Sequence, residues 1–255
     1  MYYGLNYMLI FILGLIVGSF CNVCIYRIPK NESIIYPASH CPKCRTTIRP
    51  FDNIPLLSYI LLKGRCRNCG SKISIQYPIV EFLTGIIYLI IYLIYGLSIQ
   101  SLIYTILSSA LIIIAFIDLQ EQIIPDIISL PGVVIGLILS FIVPYMSFIN
   151  SVLGVLVGGG IILIIALVGS KIFKKEAMGG GDVKLAAMIG AFLGWRYTII
   201  SLFLGFFLGA LTGIILIMAK IKKRKDAIPF GPFLALGSII TLLWGEKILL
   251  WYLGF

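Results

Sequence analysis

Long apolar stretches, separated by short polar segments, recur along almost the whole chain. A helix needs about 20 mostly apolar residues to cross a bilayer. We mark eight such stretches, of which the sixth is short: 7–26, 77–97, 99–120, 125–146, 149–170, 183–195, 197–219 and 230–254. The pattern therefore predicts an all-α polytopic membrane protein with about eight transmembrane helices and one substantial polar loop after the first of them.

The composition and the placement of charge extend this picture. Of 255 residues, 60% are hydrophobic and 12% are charged, which excludes a water-soluble globular domain. Of the 20 basic residues, nine lie in 27–76, four in 171–184 and five in 220–225. Lysines and arginines in short loops stay on the cytoplasmic side, and eight spans place these three segments on one side. We therefore expect a multi-pass protein of the cytoplasmic (inner) membrane with both termini outside and the basic loops in the cytoplasm.

The formal net charge of +10 follows from the same distribution. Basic loops both set the topology and attract anionic lipids of the inner leaflet. Membrane lipids are therefore the expected electrostatic partners, and no nucleic-acid partner is expected.

The polar loop 27–76 contains a cysteine pattern typical of a metal site. Cys41, Cys44, Cys66 and Cys69 form two C-x2-C pairs separated by 21 residues. Four thiolates on two knuckles can surround a structural zinc ion, which would supply folding energy to a loop too small for its own core. Two disulfides are the alternative, but a cytoplasmic loop lies in a reducing compartment. His40 adjoins the first cysteine, and because four thiolates already complete the site we expect it to face solvent or the ligands.

Cys21 and Cys24 lie three residues apart near the end of the first apolar stretch. That spacing places both thiols on one face of a helix. A metal or redox role stays open, although cysteine also packs well as a small apolar residue, and we favour packing.

Two aspartates indicate the chemistry. Five acidic residues lie at or inside the apolar stretches: Glu81, Asp118, Glu121, Asp126 and Asp182. An acid at membrane depth is costly and points to function. The predicted topology places Asp118, at the end of the third span, and Asp182, at the start of the sixth, at similar depth on the cytoplasmic side. We therefore expect these two carboxylates to meet.

Paired carboxylates that share a proton can act as base and acid on a water and a carbonyl, as in an aspartic protease. Gly179, Gly180 and Gly181 precede Asp182 and would let the backbone approach an extended peptide closely. Alternatively, Asp182 is only a helix N-cap after a glycine hinge. An ion-coupled transporter with aspartate ligands, or a non-catalytic assembly factor that docks a partner through its zinc loop, are rival functions.

Several motifs together resemble one family. The first span ends in "GSFCNVCIYRIP", the cysteine knuckles follow, and "YPIVEFLTG" opens the second span. The segments "IDLQEQIIPD" and "GGGDVK" come later, in the order and type of two aspartate motifs. In these features, and over nearly its whole length, the chain is similar to the type IV prepilin peptidases (leader peptidase/N-methyltransferase), which are intramembrane aspartyl proteases.

The resemblance implies roles for individual residues. Asp118 and Asp182 would be the catalytic aspartates, and Gly179 to Gly181 would position the substrate backbone. The four knuckle cysteines match cytoplasmic cysteines of the family. Asp126 also matches a motif position, but we read it as a helix-start cap after Pro125. Cys21 and Cys24 stand where the family usually has aliphatic residues.

The resemblance also implies an activity and a division of the chain. The enzyme would cleave the basic leader of type IV prepilins or pseudopilins after glycine, at the cytoplasmic face, and then methylate the new N-terminal amine with S-adenosylmethionine. No nucleotide fingerprint marks a binding site for this cofactor, and Glu81 and the cytoplasmic loop domain are weak candidates for it. For Glu81 we favour the alternatives that it caps a helix or pairs with an arginine of the basic loop. Residues 1–98 would form a part associated with methyl transfer, and 99–255 a six-span peptidase domain. A peptidase without methylation is the alternative.

Overall fold

The computed structural model describes residues 2–143, 146–174, 178–223 and 226–254. Within these ranges the chain forms α-helices and two short 3-10 helices. The described residues contain two isolated β-bridges and no β-strand. The helices are α1 (Tyr2–Arg27), α2 (Leu57–Leu61), α3 (Gln76–Tyr95), α4 (Ile99–Glu121), α5 (Asp126–Leu139), α6 (Phe148–Phe173), α7 (Gly180–Met218) and α8 (Gly231–Leu253). The predicted all-α fold is confirmed.

Some residues of the charge argument lie outside the described ranges. They are Lys175, Arg224 and Lys225. The expected cytoplasmic position of the basic segments therefore rests on the sequence.

Six of the described helices are long and apolar enough to cross a membrane: α1, α3, α4, α6, α7 and α8. Large apolar side chains cover their outer faces; Ile16, Leu102 and Phe203 are 55%, 56% and 68% exposed. Exposing such side chains to water costs free energy in a soluble protein, whereas the hydrocarbon core of a membrane accommodates them. The chain is an integral membrane protein.

α7 accounts for two of the predicted spans. It is 39 residues long, and Gly194 inside it has non-helical φ 72° and ψ 168°. A Cβ placed on Gly158 of α6 would touch both the Ala186 carbonyl oxygen and the Thr198 methyl group. In a straight helix Ala186 and Thr198 would lie about 18 Å apart, so the chain turns back at Gly194. The two halves correspond to the predicted stretches 183–195 and 197–219.

The predicted stretch 125–146 forms a shorter helix. α5 ends at Leu139 after 14 residues, a length of about 21 Å, whereas the hydrocarbon core is about 30 Å thick. The expected number of eight spans is therefore approximate. α5 packs against the first half of α7, since a Cβ on Gly136 would lie 2.7 Å from the Ala191 Cβ.

The chain divides into two compact units, Met1–Ile113 and Ile114–Phe255. In the first, α1 and α3 pack closely through glycines: a Cβ on Gly14 would lie 2.7 Å from the Gly85 Cα, and one on Gly18 would lie 2.7 Å from the Glu81 Cα. Such small residues let helix backbones approach in a membrane, where packing replaces the hydrophobic effect as the source of association. The loop between these helices carries the cysteine knuckles.

The second unit is also built on close helix contacts. A Cβ on Gly154 of α6 would clash with the Gly190 carbonyl of α7, and one on Gly237 of α8 would clash with the Ser201 carbonyl. The Ser201 and Ser238 hydroxyls share a buried hydrogen bond of 2.8 Å across α7 and α8. These contacts fix α7 between its neighbours, and the start of α7 carries one of the two candidate aspartates.

Candidate functional site

Asp118 lies in the last turn of α4 and is buried, with 5% of its surface exposed. Its Oδ2 accepts a hydrogen bond of 2.8 Å from the main-chain N–H of Gly231, the first residue of α8. The N–H groups at the start of a helix have no partner within it and carry partial positive charge. The beginning of α8 is therefore suited to hold a carboxylate.

Asp182 lies in the first turn of α7 and is 8% exposed. Its Oδ2 accepts a hydrogen bond of 3.2 Å from the Gly179 N–H, and its own N–H donates to the Gly179 carbonyl at 3.1 Å. Asp182 is thus the third residue of the helix and reaches back to the residue before the first turn. The N-cap position itself is occupied by Gly179, so Asp182 caps the start of the helix from its third position rather than as the N-cap residue.

The two carboxylates belong to the same unit and are close enough for their charges to interact. Each is held by one main-chain N–H, Asp118 from α8 and Asp182 from the start of α7. Two buried carboxylates whose charges interact cannot both ionise freely. The arrangement therefore suits a pair that shares one proton, which is the requirement stated from the sequence.

The three glycines before Asp182 differ in their surroundings. None adopts the positive φ that only glycine tolerates well. A Cβ on Gly181 would lie 2.9 Å from the Ile124 Cβ, whereas Gly180 has no neighbour within 4 Å and Gly179 has only ordinary contacts. Their backbone dihedrals are therefore open to other residues as well. Gly181 instead lets the start of α7 approach the segment between α4 and α5.

Asp126 is the first residue of α5, and Pro125 takes the N-cap position without a side-chain hydrogen bond. The Asp126 carboxylate instead forms an ion pair with Lys184, at 2.7 and 2.8 Å from the Nζ. The expected capping role of Asp126 is therefore wrong. The ion pair joins the first residue of α5 to the second turn of α7, where Lys184 follows Asp182 by two residues.

The four knuckle cysteines of the first unit come together. Their Sγ atoms all lie within 4.8 Å of one another, and the Cys41 and Cys69 Sγ atoms are 3.9 Å apart. Tetrahedral zinc with Zn–S bonds of about 2.3 Å requires sulfur atoms about 3.8 Å apart. The donor set and its spacing therefore fit a zinc ion with little adjustment, and this cluster is compatible with the predicted metal site.

The two knuckles have the same backbone design. The Cys41 N–H donates to the Thr46 carbonyl, and the Cys66 N–H donates to the Ser71 carbonyl. The residue after each second cysteine, Arg45 or Gly70, has a positive φ of 56° or 68°. Each turn thus directs its cysteine pair towards one point.

Hydrogen bonds in the first knuckle favour thiolates. The pKa of Cys44 is lowered to about 6, first by the Thr46 hydroxyl and then by the Thr46 N–H and the Asn68 amide. The pKa of Cys41 is lowered chiefly by the Cys44 N–H. Thiolates are the form that binds zinc. His40 bonds to the Ala38 carbonyl at 3.1 Å and takes no part in the cluster.

The remaining predicted residues of the first unit are buried. Cys21 and Cys24 are 1% and 4% exposed on α1, as the packing interpretation expects. Glu81, on α3, is 7% exposed and accepts a hydrogen bond of 2.8 Å from the Leu56 N–H. Pairing of Glu81 with an arginine of the basic loop does not occur among the described residues.

Sequence reasoning missed two participants of the second unit, Gly231 and Lys184. Gly231 contributes only its main chain, which has no sequence signature. The ion pair of Lys184 with Asp126 joins residues 58 positions apart. The sequence "PFGPF" around Gly231 could have indicated a helix start, since Pro is typical of the first turn of a helix. It was the available signal for Gly231.

Family models match most of the chain. The model for the bacterial peptidase A24 N-terminal domain matches residues 12–95, and that for the type IV leader peptidase family matches residues 105–214. The first match includes both cysteine knuckles, and the second includes Asp118 and Asp182. No solved structure matches the chain.

Relatives named "Prepilin leader peptidase/N-methyltransferase" are similar over almost their whole length. The protein from Pseudomonas putida is 35% identical over 259 residues, covering 93% of this chain and 90% of the relative. That from Legionella pneumophila is 36% identical over 275 residues, covering 98% and 95%. That from Aeromonas hydrophila is 35% identical over 273 residues, covering 98% and 94%.

Proposed function

The chain belongs to the type IV leader peptidase family, and from this premise we propose that it is a prepilin leader peptidase and N-methyltransferase. Its substrates would be type IV prepilins or pseudopilins, whose basic leader is removed after a glycine. Asp118 and Asp182 would perform the cleavage. The observation that carries the proposal is that both carboxyl groups are buried at helix ends of one unit, close enough for their charges to interact.

The dyad can hydrolyse a peptide bond without a covalent intermediate. One aspartate, ionised, takes a proton from a water molecule, which attacks the scissile carbonyl. The other, protonated, donates its proton to the carbonyl oxygen, which gives a tetrahedral intermediate. As the carbon–nitrogen bond breaks, the first aspartate passes its proton to the departing nitrogen, and the second takes a proton back from a hydroxyl of the intermediate. Main-chain N–H groups of Gly231 and Gly179 keep both carboxylates in position meanwhile.

The site lies where the substrate would present an extended segment. With the topology expected from charge, the end of α4 and the starts of α7 and α8 all face the cytoplasm. A prepilin has a basic leader followed by a long apolar helix, so the leader stays cytoplasmic while the helix enters the bilayer. Gly179 and Gly180 leave open space beside Asp182, which supports their role in admitting the substrate backbone.

The four cysteines would hold a structural zinc ion in the cytoplasmic loop. The ion would link the segment 41–44 to the segment 66–69, and the Arg67–Asp52 ion pair, with contacts of 2.7 to 3.1 Å, braces the second knuckle. All four ligand positions are taken by protein sulfur, which is typical of a structural rather than a catalytic zinc site.

Methylation would follow cleavage. S-adenosylmethionine supplies the methyl group when bound, and the new N-terminal amine of the mature pilin receives it. The names of the relatives support this second activity. The first unit, which contains the knuckles and Glu81, is the part we assign to it.

One assay tests both activities. Purified protein in detergent is incubated with a prepilin and labelled S-adenosylmethionine, and the mass of the product's N-terminus is measured. We expect a product that lacks the leader and carries one added methyl group. An intact prepilin would contradict the peptidase, and a shortened product without the methyl group would leave only the peptidase.

A further inference from the structure

A cavity of about 350 Å³ lies in the first unit, between the end of α1 and the loop that follows it. Apolar side chains of α1, including Phe20 and Val23, form one wall, and loop residues, including Ser39 and Asn53, form the other. Its volume lies within the range of small-molecule sites. Mixed apolar and polar walls suit a ligand with an aromatic part and several polar groups.

Arg27 lines this cavity and is 5% exposed. Its Nη1 donates to the Ser33 carbonyl at 2.8 Å, and its Nη2 donates to the Pro37 carbonyl at 2.7 Å. A guanidinium has five N–H donors, and among the described residues no carboxylate pairs with it. A buried cation without an anionic partner is costly, so the cavity is suited to receive a carboxylate beside Arg27.

Glu81 lies behind another part of the cavity wall. Its carboxylate accepts the Leu56 N–H at 2.8 Å and interacts with the Ser19 hydroxyl. Ser19 and Pro55, the residue before Leu56, both line the cavity. Leu56 itself has φ 60° and ψ −50°, a backbone conformation that a bulky residue adopts only when its surroundings impose it. Glu81 also forms no ion pair among the described residues.

Arg27 therefore lines the cavity as a cation without a carboxylate partner, and the Glu81 carboxyl group lies directly behind the cavity wall, against Ser19 and Leu56. They complement a ligand that carries a carboxylate at one end and positive charge nearby, and the methyl donor has a carboxylate, an ammonium and a sulfonium group. We propose that this cavity is the S-adenosylmethionine site, with Arg27 binding the carboxylate and Glu81, behind Ser19 in the cavity wall, balancing the cationic part. The inference rests on the methyltransferase half of the proposed function and supplies its missing cofactor site.

Binding can be measured apart from activity. The full-length protein in phosphatidylcholine nanodiscs is titrated with S-adenosyl-L-[methyl-³H]methionine, with S-adenosylhomocysteine as competitor. Ultraviolet crosslinking of the wild-type protein then locates the label by peptide mass. We expect saturable, competable binding and label in residues 16–39 or 53–55.

Matched variants assign the two charges. Arg27→Gln and Glu81→Gln should each weaken binding at least about tenfold, because each removes a charged partner of the ligand. Arg49→Gln and Glu32→Gln, which change exposed residues of the same loop, should leave the dissociation constant unchanged. Thermal unfolding of each variant shows whether it is folded, and the crosslink on the wild-type protein does not depend on any variant.

The outcomes separate this inference from the function on which it rests. If the wild-type protein methylates prepilin but its label lies outside the cavity, the proposed site is wrong and the methyltransferase activity stands. The same conclusion follows if the protein methylates prepilin and both Gln variants bind the methyl donor normally. Label displaced by phosphatidylglycerol but not by S-adenosylhomocysteine assigns the cavity to a lipid headgroup and also overturns it. Protein that neither methylates nor binds the donor overturns the methyltransferase half itself.

Discussion

Gly231 holds the Asp118 carboxylate through its main-chain N–H and leaves room for it by lacking a side chain. A Cβ there would lie 2.7 Å from the Asp118 Oδ2 and 3.2 Å from its Cγ. Phe230, the residue before, stacks on Phe206 of α7 with ring centroids 5.1 Å apart. The start of α8 is therefore fixed from both sides, and the carboxylate has no other position to take without losing its hydrogen bond.

We predict that Gly231→Ala lowers kcat/KM for leader cleavage by about 100-fold, since a displacement of about 1 Å at a reacting group has an effect of that size. Gly213→Ala is the matched control, because its new Cβ would lie at an ordinary 3.6 Å from Ile228. Cleavage kinetics and a melting curve for each variant provide the measurement. Normal cleavage by Gly231→Ala would refute the positioning role.

Helices α6 and α7 meet along glycines, and this contact sets where α7 begins and reverses. A Cβ on Gly190 would clash with the Gly154 carbonyl and lie 2.9 Å from the Val155 nitrogen. Both neighbours are main-chain atoms, which cannot move without separating the helices. The contact therefore governs the placement of Asp182 as well as stability.

We predict that Gly190→Ala lowers the free energy of unfolding by about 1–3 kcal/mol, the usual cost of overpacking. Gly160→Ala, also within a helix, has nothing within 4 Å of its new Cβ and should be neutral or slightly stabilising. Thermal unfolding in one detergent compares them. Equal melting temperatures for both variants would show that the two helices can separate at no cost.

The cysteine knuckles are the second structural element with a direct test. Cys66→Ser should remove most of the bound zinc, measured by mass spectrometry of the metal, and lower the amount of folded protein, because the loop relies on the ion for its folding energy. Cys24→Ala, which changes a buried cysteine of α1 outside the cluster, should keep the zinc. Full zinc content in Cys66→Ser would contradict the site.

Much of the fold follows from the sequence, and the exceptions have physical reasons. Apolar length predicted α1, α3, α4, α6 and α8 within a few residues, because hydrocarbon thickness fixes the length of a spanning helix. The short α5 packs against the first half of α7, and the reversal at Gly194 packs against α6; hydropathy records neither contact. The predicted depth of Asp118 and Asp182 in the membrane was enough to expect that they meet. The hydrogen bond from the Gly231 N–H to Asp118 could not be predicted, because it joins main chain to side chain across 113 positions.

For the whole molecule, the distribution of basic residues predicts which side each loop faces. If α7 crosses the membrane twice and α5 once, this distribution predicts that Ser98 faces outward and Lys223 faces the cytoplasm. Ser98→Cys should react with a membrane-impermeant maleimide on intact spheroplasts, whereas Lys223→Cys should react only after permeabilisation. Both positions are exposed. The reverse pattern of labelling would place the aspartates at the outer face and exclude a cytoplasmic leader as substrate.

The central claim is that Asp118 and Asp182 act together as one proteolytic site. The most direct measurement is leader cleavage of a purified prepilin by Asp118→Asn and Asp182→Asn, each checked for folding by its melting temperature. We predict that either change abolishes cleavage while the protein stays folded, because an amide can neither accept the proton of the water nor share one with its partner. Wild-type cleavage by either folded variant would contradict the dyad.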